Sequence, residues 1–412
     1  MRTDSVSRVQ IQSINTQWVD VGQLYNVGNR NWFEFTDQYW ESFPRPILGQ
    51  IFEENGRHWK PSARVSLPRW FGHLLPEGRL RAAVADAAET NLKNEYDLLV
   101  RLGPNDLPGA IRVFHEGIPN SVQTPHTEDA DDGPYNSNPI LKFSLAGAQL
   151  KFSVYGDEKG ITVPTKGSAG NLIVKFPDER PGFDGVPEAE LGSLVLAGRS
   201  GIETPHSFLV DPLEIEGLKE WAKLSGGRKA LAVTRFDRAG KNQRIHMEEL
   251  AQILDIPTAN SDAKYRGAKS DTVATVIAGL TDISTTAAVI DRIVLNIIIG
   301  NGDAHLKNWA ILYKDGKTPT LSPAYDIVPT FLYIKNDNLG LKLHNTRSFY
   351  EVSPETFESI GRRTGYGVTA AKKRARETTE RILGEIRIMS EYLTKENYDR
   401  LKVHVSDLKL QR

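Results

Sequence analysis

The order of strand-like and helix-like segments predicts an α+β protein. A small sheet-rich lobe precedes a larger helical lobe, and a further subdomain stands ahead of both. Strand-like runs gather between residues 141 and 236: Leu141-Lys-Phe-Ser, Leu150-Lys-Phe-Ser-Val-Tyr, Asn171-Leu-Ile-Val-Lys-Phe and Leu231-Ala-Val-Thr-Arg-Phe. One helical segment, Glu188 to Arg199, interrupts them, with Gly201 as its C-terminal stop. From His246 onward the pattern is mainly helical, except at Trp309-Ala-Ile-Leu-Tyr313 and around Tyr325. Strands followed by helices, rather than a strict alternation, mark the α+β class.

The first zone, residues 1–116, opens on short alternating segments with a turn at Asn26-Val-Gly-Asn29. Helical periodicity follows from Pro68 to Ala88, with Trp70, Phe71, Leu74 and Leu75 on one face, read as core. Residues 117–139 carry Pro, Asn, Ser and Thr, an acidic run Glu128-Asp-Ala-Asp-Asp132 and almost no apolar side chain, and read as a linker. Residues 140–236 form the predicted sheet-rich lobe and residues 237–412 the helical lobe.

The chain has 412 residues, 39% hydrophobic and 25% charged, enough for two or three domains with a sizeable core. Its formal net charge of −1 gives no global field toward nucleic acid or membrane. It contains no cysteine, which excludes disulfides, thiolate zinc sites and thiol catalysis, and fits a reducing cytoplasm. The N-terminus has no apolar signal core, and the apolar run Ile293 to Ile299 is far too short to span a bilayer, so no membrane partner is expected.

The functional argument centres on Gly300-Asn301-Gly302-Asp303-Ala304-His305-Leu306-Lys307-Asn308 and on Ser322-Pro-Ala-Tyr-Asp326. A lone Asp with an Asn five positions on is usually a pair of turn residues bonding their own backbone. Here a second Asp follows. The segments Trp309 to Tyr313 and Thr320 to Ala324 read as a hairpin that returns Asp326 toward Asn308. Phosphoryl transfer needs such a set: one carboxylate to take the proton of an attacking hydroxyl, and an amide oxygen and a second carboxylate to hold Mg²⁺ against ATP phosphates. The Asp303-to-Asn308 spacing equals that of the protein-kinase catalytic loop. His305 can be a base or a metal ligand, though packing beneath the loop is its plainer reading. Lys307 either touches a phosphate or is solvated.

Upstream, Lys175 lies on an apolar strand and shares a face with Ile173, so it calls for a partner or an anion. Glu190, on the next helix, is its natural partner. Ser144-Leu-Ala146-Gly147-Ala-Gln149-Leu-Lys151 joins two strands, and its small residues would let backbone N–H groups approach phosphates. Ala230 to Asp237 is an apolar strand ending in a polar turn, where the backbone of Thr234 and Phe236 could meet an adenine. Basic clusters at Arg57 to Arg81 and at Lys372-Lys-Arg-Ala-Arg376 read as solvated faces, or as docking surfaces for an acidic partner or nucleic acid.

Over nearly its whole length the chain resembles the HipA family of bacterial serine/threonine-kinase toxins. The resemblance is carried by Leu67-Pro-Arg-Trp-Phe-Gly-His-Leu-Leu-Pro-Glu, Glu95-Tyr-Asp-Leu-Leu-Val-Arg-Leu-Gly, Ser144-Leu-Ala-Gly-Ala-Gln, Leu172-Ile-Val-Lys-Phe-Pro, Ala232-Val-Thr-Arg-Phe-Asp-Arg, Gly302-Asp-Ala-His-Leu-Lys-Asn and Leu321-Ser-Pro-Ala-Tyr-Asp-Ile, in family order. It implies a two-lobed protein-kinase-like fold with an extra N-terminal subdomain. Asp303 would then be catalytic, Asn308 and Asp326 would hold Mg²⁺, and Lys175, steadied by Glu190, would contact ATP. Lys151 would approach the nucleotide, and Thr234 and Phe236 would present backbone atoms to adenine. Ser144 would be the self-phosphorylated serine whose modification ejects the loop. The implied partners are a protein substrate in translation, such as an aminoacyl-tRNA synthetase, and a small DNA-binding antitoxin, with DNA reached only in that complex. Departures are Leu150, where the family often has a polar residue, and Tyr325-Asp-Ile in the D-F-G place. A kinase of this fold acting on a small molecule, and a nucleotide-binding scaffold for an antitoxin, stay open as alternatives.

Overall fold

In the computed structural model, residues 5–115 and 150–411 are described, apart from positions 88, 105, 159, 165–168, 179 and 241. Ser144, Ala146, Gly147 and the predicted linker lie outside the described residues. The chain divides into two units: residues 1–176, 210–260 and 312–318 form the first, and residues 177–209, 261–311 and 319–412 the second.

The first unit holds two sheets. Strands β1 (Ser5–Gln12), β2 (Trp18–Val27), β3 (Arg30–Phe35), β4 (Ser62–Arg64) and β5 (Ile111–His115) make one in the order β4-β3-β2-β1-β5. The β2–β3 hairpin turns at Gly28, whose φ of 61° suits a residue without Cβ. Its inner face buries Val9, Ile11, Leu24 and Phe33 against Phe52, Trp70 and Phe71. The predicted helix from Pro68 to Ala88 is two helices, Arg69–Gly72 and Gly78–Ala87. Pro76 explains the break, since a proline disfavours helical backbone in the residue before it.

The second sheet contains β6 (Lys151–Asp157), β7 (Gly160–Thr162), β8 (Leu172–Lys175), β10 (Ile215–Glu216) and β11 (Ala230–Thr234); β9 (Ser207–Val210) is where the chain passes back from the second unit. The neighbours β6, β8 and β11 are antiparallel, with Phe152 opposite Val174 and Val174 opposite Ala232 on the buried face. The same registers put Lys151 opposite Lys175, and Lys175 opposite Leu231, on the other face. His246–Glu249 is a strand, not the start of the helical region.

The second unit is helical. Thr286–Ile299 is almost wholly buried and packs on Val368–Glu385. Its inward carboxylate, Asp291, accepts from Arg374 Nε at 2.7 Å and Thr378 Oγ1 at 2.5 Å, tying the two helices together. The basic cluster on Val368–Glu385 is spoken for: Arg374 serves Asp291, Lys372 pairs with Glu358 at 3.0 Å, Lys373 with Glu377 at 3.7 Å and Arg376 with Glu355 at 2.9 Å. In the first cluster, Arg57 meets Asp37 and Glu41, Arg69 meets Asp255, and Arg81 meets Glu95. No helix among the described residues is long and apolar enough to cross a membrane.

Candidate functional site

The loop carrying Asp303 is built where the apolar helix Thr286–Ile299 stops. Gly300 caps it in the left-handed region, φ 69°. A side chain there would be strained and would run into the Phe331 ring, whose backbone N–H donates to Gly300 O at 3.1 Å. Asn301 then bonds Asn296 twice, backbone N–H to backbone O at 2.8 Å and Nδ2 to Oδ1 at 2.9 Å, and its own Oδ1 accepts from the Asp303 N–H at 3.0 Å. Gly302 N–H donates to Thr330 Oγ1 at 2.6 Å, and the Thr330 hydroxyl donates to Asp337 Oδ2 at 2.5 Å. A Cβ on Gly302 would collide with the Asp337 carboxylate, which burial holds above the ordinary Asp range. Both glycines are therefore required by close approach.

This scaffold leaves the Asp303 side chain 52% exposed. Its backbone carbonyl accepts from Asn308 Nδ2 at 2.9 Å, and Asn308 N–H donates to His305 O at 2.9 Å. With the amide nitrogen so engaged, the Asn308 amide oxygen is turned elsewhere. Asn308 and Asp326 line one cavity, together with Asn296, Asn301 and Arg292. Asp326 has φ 53°, a left-handed conformation that an Asp tolerates and that persists only where its surroundings over-determine it. Its neighbour Tyr325 donates its hydroxyl to Lys307 O at 2.8 Å, fastening this segment to the loop. An amide oxygen and a carboxylate on one cavity are the oxygen ligands a hard divalent cation takes, with phosphate and water completing the shell. The donor set fits Mg²⁺.

His305 and Lys307 are both buried, so the solvated reading of Lys307 does not hold. His305 Nε2 stands 3.9 Å from Asp303 Oδ1. Tyr265, on the one-turn helix Ala263–Arg266, donates its hydroxyl to the same Oδ1, and its ring meets the His305 ring edge to face at 5.0 Å.

In the first unit, β6 and β8 bring Lys151 and Lys175 side by side; Lys175 is buried. Like charges directly opposite repel unless an anion faces them. Glu190 is buried on the helix Val186–Arg199 of the second unit. Thr234 ends β11, and Phe236 follows in the turn. Between and beyond these two residues lies a buried ionic cluster whose other member, Asp106, is distant in the sequence. Arg235 donates to Asp106 Oδ2 at 2.9 Å and to both Asp237 oxygens at 2.9 and 2.7 Å. Arg238 reaches Asp106 Oδ1 at 2.5 Å and Asp237 Oδ2 at 2.8 Å. Burial alone would raise both carboxyls. The facing guanidiniums outweigh it, holding Asp106 far below the carboxylate range and Asp237 down at about 2. In the sequence Arg235-Phe-Asp-Arg238 reads only as a polar turn after an apolar strand. Tyr265 left no signal of its own in the sequence.

The comparisons agree with this architecture. Residues 143–387 match the HipA-like C-terminal domain and residues 13–114 the HipA N-terminal domain. Y4dM of Sinorhizobium fredii is 33% identical over 91% of this chain and 91% of its own length, and Y4mE of the same organism is 28% identical over 76% of this chain and 77% of its own; the names of both propose a kinase. HipA of Shewanella oneidensis, solved with HipB and its operator DNA, superposes with a TM-score of 0.69 at 17% identity, covering 98% of this chain and 96% of that one. The fold is thus the α+β, kinase-like architecture with an added N-terminal subdomain. The chain belongs to the HipA family.

Proposed function

We propose that this protein is an ATP- and Mg²⁺-dependent serine/threonine-protein kinase that acts as the toxin of a toxin–antitoxin pair. The observation that carries the reading is the Asp303–Asn308–Asp326 arrangement, in which Asn308 bonds the backbone of Asp303 while sharing a cavity with Asp326. Asp303 takes the proton of the acceptor hydroxyl. The hydroxyl oxygen forms a bond to the γ-phosphorus of ATP as the bond to the leaving ADP oxygen breaks. Asn308 and Asp326 hold Mg²⁺, which supplies charge neutralisation on the phosphates. Lys175, Lys151, Glu190, Ala146 and Gly147 are the nucleotide-binding residues in this reading. His305 and Lys307 border the nucleotide from within the loop, and the backbone of Thr234 and Phe236 receives adenine. Domains follow as 1–116, a 117–139 linker, a nucleotide-binding lobe at 140–236 and a helical lobe at 237–412.

Ser144 is the self-phosphorylation site in this reading. A phosphate there adds roughly −1.5 to −2 charge beside the nucleotide and favours an open loop. The acceptor protein belongs to translation, an aminoacyl-tRNA synthetase being the precedent. The partner is a small DNA-binding antitoxin, a reading supported by the HipB–operator complex of the Shewanella relative. The paired state of the basic cluster on Val368–Glu385 favours DNA contact through that antitoxin rather than through this chain.

Intact-mass analysis after incubation with Mg·ATP, beside Asp303→Gln, tests the proposal. A phosphate on Ser144 of the parent alone is expected. Equal phosphorylation of both proteins would overturn the role of Asp303. Bound ATP with no phosphate on either would favour the scaffold reading, and activity without growth arrest on expression would favour a non-toxic kinase.

A further inference from the structure

Asp303 has an unusual weakness for a catalytic base. Its side chain is half exposed on a glycine-bracketed loop. A carboxylate in that position rotates freely unless a donor holds it. The Tyr265 hydroxyl is that donor, bonded to Oδ1.

We propose that Tyr265 is a positioning residue: by occupying Oδ1 of Asp303 it fixes the carboxylate so that Oδ2 meets the acceptor hydroxyl. The inference rests on the reading of Asp303 as the base. Tyr265 is itself held in place. Its ring lies edge to face on buried His305, 5.0 Å between centroids with planes at 73°. Its backbone carbonyl accepts from Arg347 Nη2 at 2.8 Å. The other nitrogen of Arg347, Nη1, donates to Gly340 O at 2.8 Å and Leu339 O at 3.1 Å. Gly340 lies flat on the catalytic loop: a Cβ there would stand 2.8 Å from Gly302 O and 2.9 Å from Ala304 O. One arginine thus locks the turn carrying Tyr265 to the segment that backs the loop. The helix Ala263–Arg266 has no buried residue of its own, so these bonds and the ring contact hold it in place.

Tyr265→Phe keeps the ring on His305 and deletes only the hydroxyl. Turnover should fall about 10- to 100-fold, the scale of a small misplacement of a reacting group, with KM for ATP and the melting temperature unchanged. In crystals of the nucleotide-free variant the Asp303 carboxylate should populate more than one rotamer, against one in the parent. Unchanged turnover overturns the proposal, and so does raised turnover, which would mean that the phenol blocks the acceptor. A rise in KM for ATP with kcat intact also overturns it. Asp303→Gln separates the two levels. If it is as active as the parent, the base assignment itself has failed; if it is inactive while Tyr265→Phe is normal, only the positioning role has. Should the parent transfer no phosphate in the assay, the rotamers decide, and a single identical rotamer in both crystals refutes the role.

Discussion

Replacing Asp106 by alanine should be among the most damaging single changes available in the first unit. Its fully buried carboxylate accepts from Arg235 Nη1 at 2.9 Å, Arg238 Nη2 at 2.5 Å, Gly170 N–H at 3.1 Å and the Ser153 hydroxyl. Asp106 and Asp237 neutralise Arg235 and Arg238 charge for charge. Arg244 lies close by, already pushed down to about 9 by burial and by Arg238. Without Asp106 the cluster gains a further uncompensated buried cation beside Arg244, and breaking such a pair from one side costs about 3–5 kcal/mol. Hydration of the new cavity offsets little of this, because the guanidiniums stay beneath packed strands. Urea unfolding beside the parent measures the loss. Asp106→Ala combined with Arg235→Met should lose less than the sum of the single changes, since removing both charges restores balance. A loss below about 1 kcal/mol for Asp106→Ala, or strict additivity in the pair, would refute the reasoning. The pH dependence has a definite sign: because Asp106 and Asp237 are depressed, their contribution is complete above about pH 4 and is lost as pH falls toward 2.

Glu248 should act in the opposite direction. Burial raises its carboxyl from 4.5 to about 7 despite bonds from Tyr313, Trp70 and Gln50, so the folded state keeps a proton that the unfolded chain releases, and stability falls by roughly 3 kcal/mol as pH rises from about 4.5 to 7. Buried His246, pushed down to about 4, opposes this slope between about 6.5 and 4, so the measurement is the difference between the parent and Glu248→Gln. A difference flat across that window would contradict the assignment. Gly302→Ala should cost about 1–3 kcal/mol by forcing the new Cβ against Asp337, yet reduce phosphoryl transfer at least tenfold by shifting Asp303. Activity falling only in step with the folded fraction would show that the loop tolerates the methyl group.

The parts legible in the sequence were those whose determinants are local. The apolar helix before Gly300, the turn of the β2–β3 hairpin and the strands around Val174 and Ala232 announce themselves by periodicity and by glycine. The spacing of Asp303 and Asn308 could be read because both belong to one loop. What escaped depends on distant partners. Asp106 lies 129 positions from Arg235, and Tyr265 lies 38 from Asp303. The strand His246–Glu249 was hidden for another reason: the side chains on its buried face are His246 and Glu248, so alternation exists but is written in polar letters. Its interior is satisfied by hydrogen bonds, including His246 Nε2 with Leu48 O at 2.7 Å, rather than by hydrophobicity. The break in the helix after Leu75 was readable from Pro76, and the apolar spacing on both sides of it outweighed that sign.

The first unit is assembled from three separated stretches of chain, the last being residues 312–318. Tyr313 in that stretch donates its hydroxyl to Glu248 at 2.6 Å, and Gly316 O accepts from Ile47 N–H at 2.8 Å. During synthesis, which proceeds N-terminus first, the nascent first unit therefore waits on the ribosome. Until residues 313 and 316 have emerged, Glu248 lacks one of its donors and the Ile47 N–H lacks its acceptor in the folded unit. The second unit's residues 177–209 and 261–311 have left the tunnel by then. The first unit is thus closed after residues 177–209 and 261–311 of the second have been made and before its last stretch, 319–412, and a chain terminated between residues 260 and 312 would lack the Tyr313 and Gly316 bonds that close it.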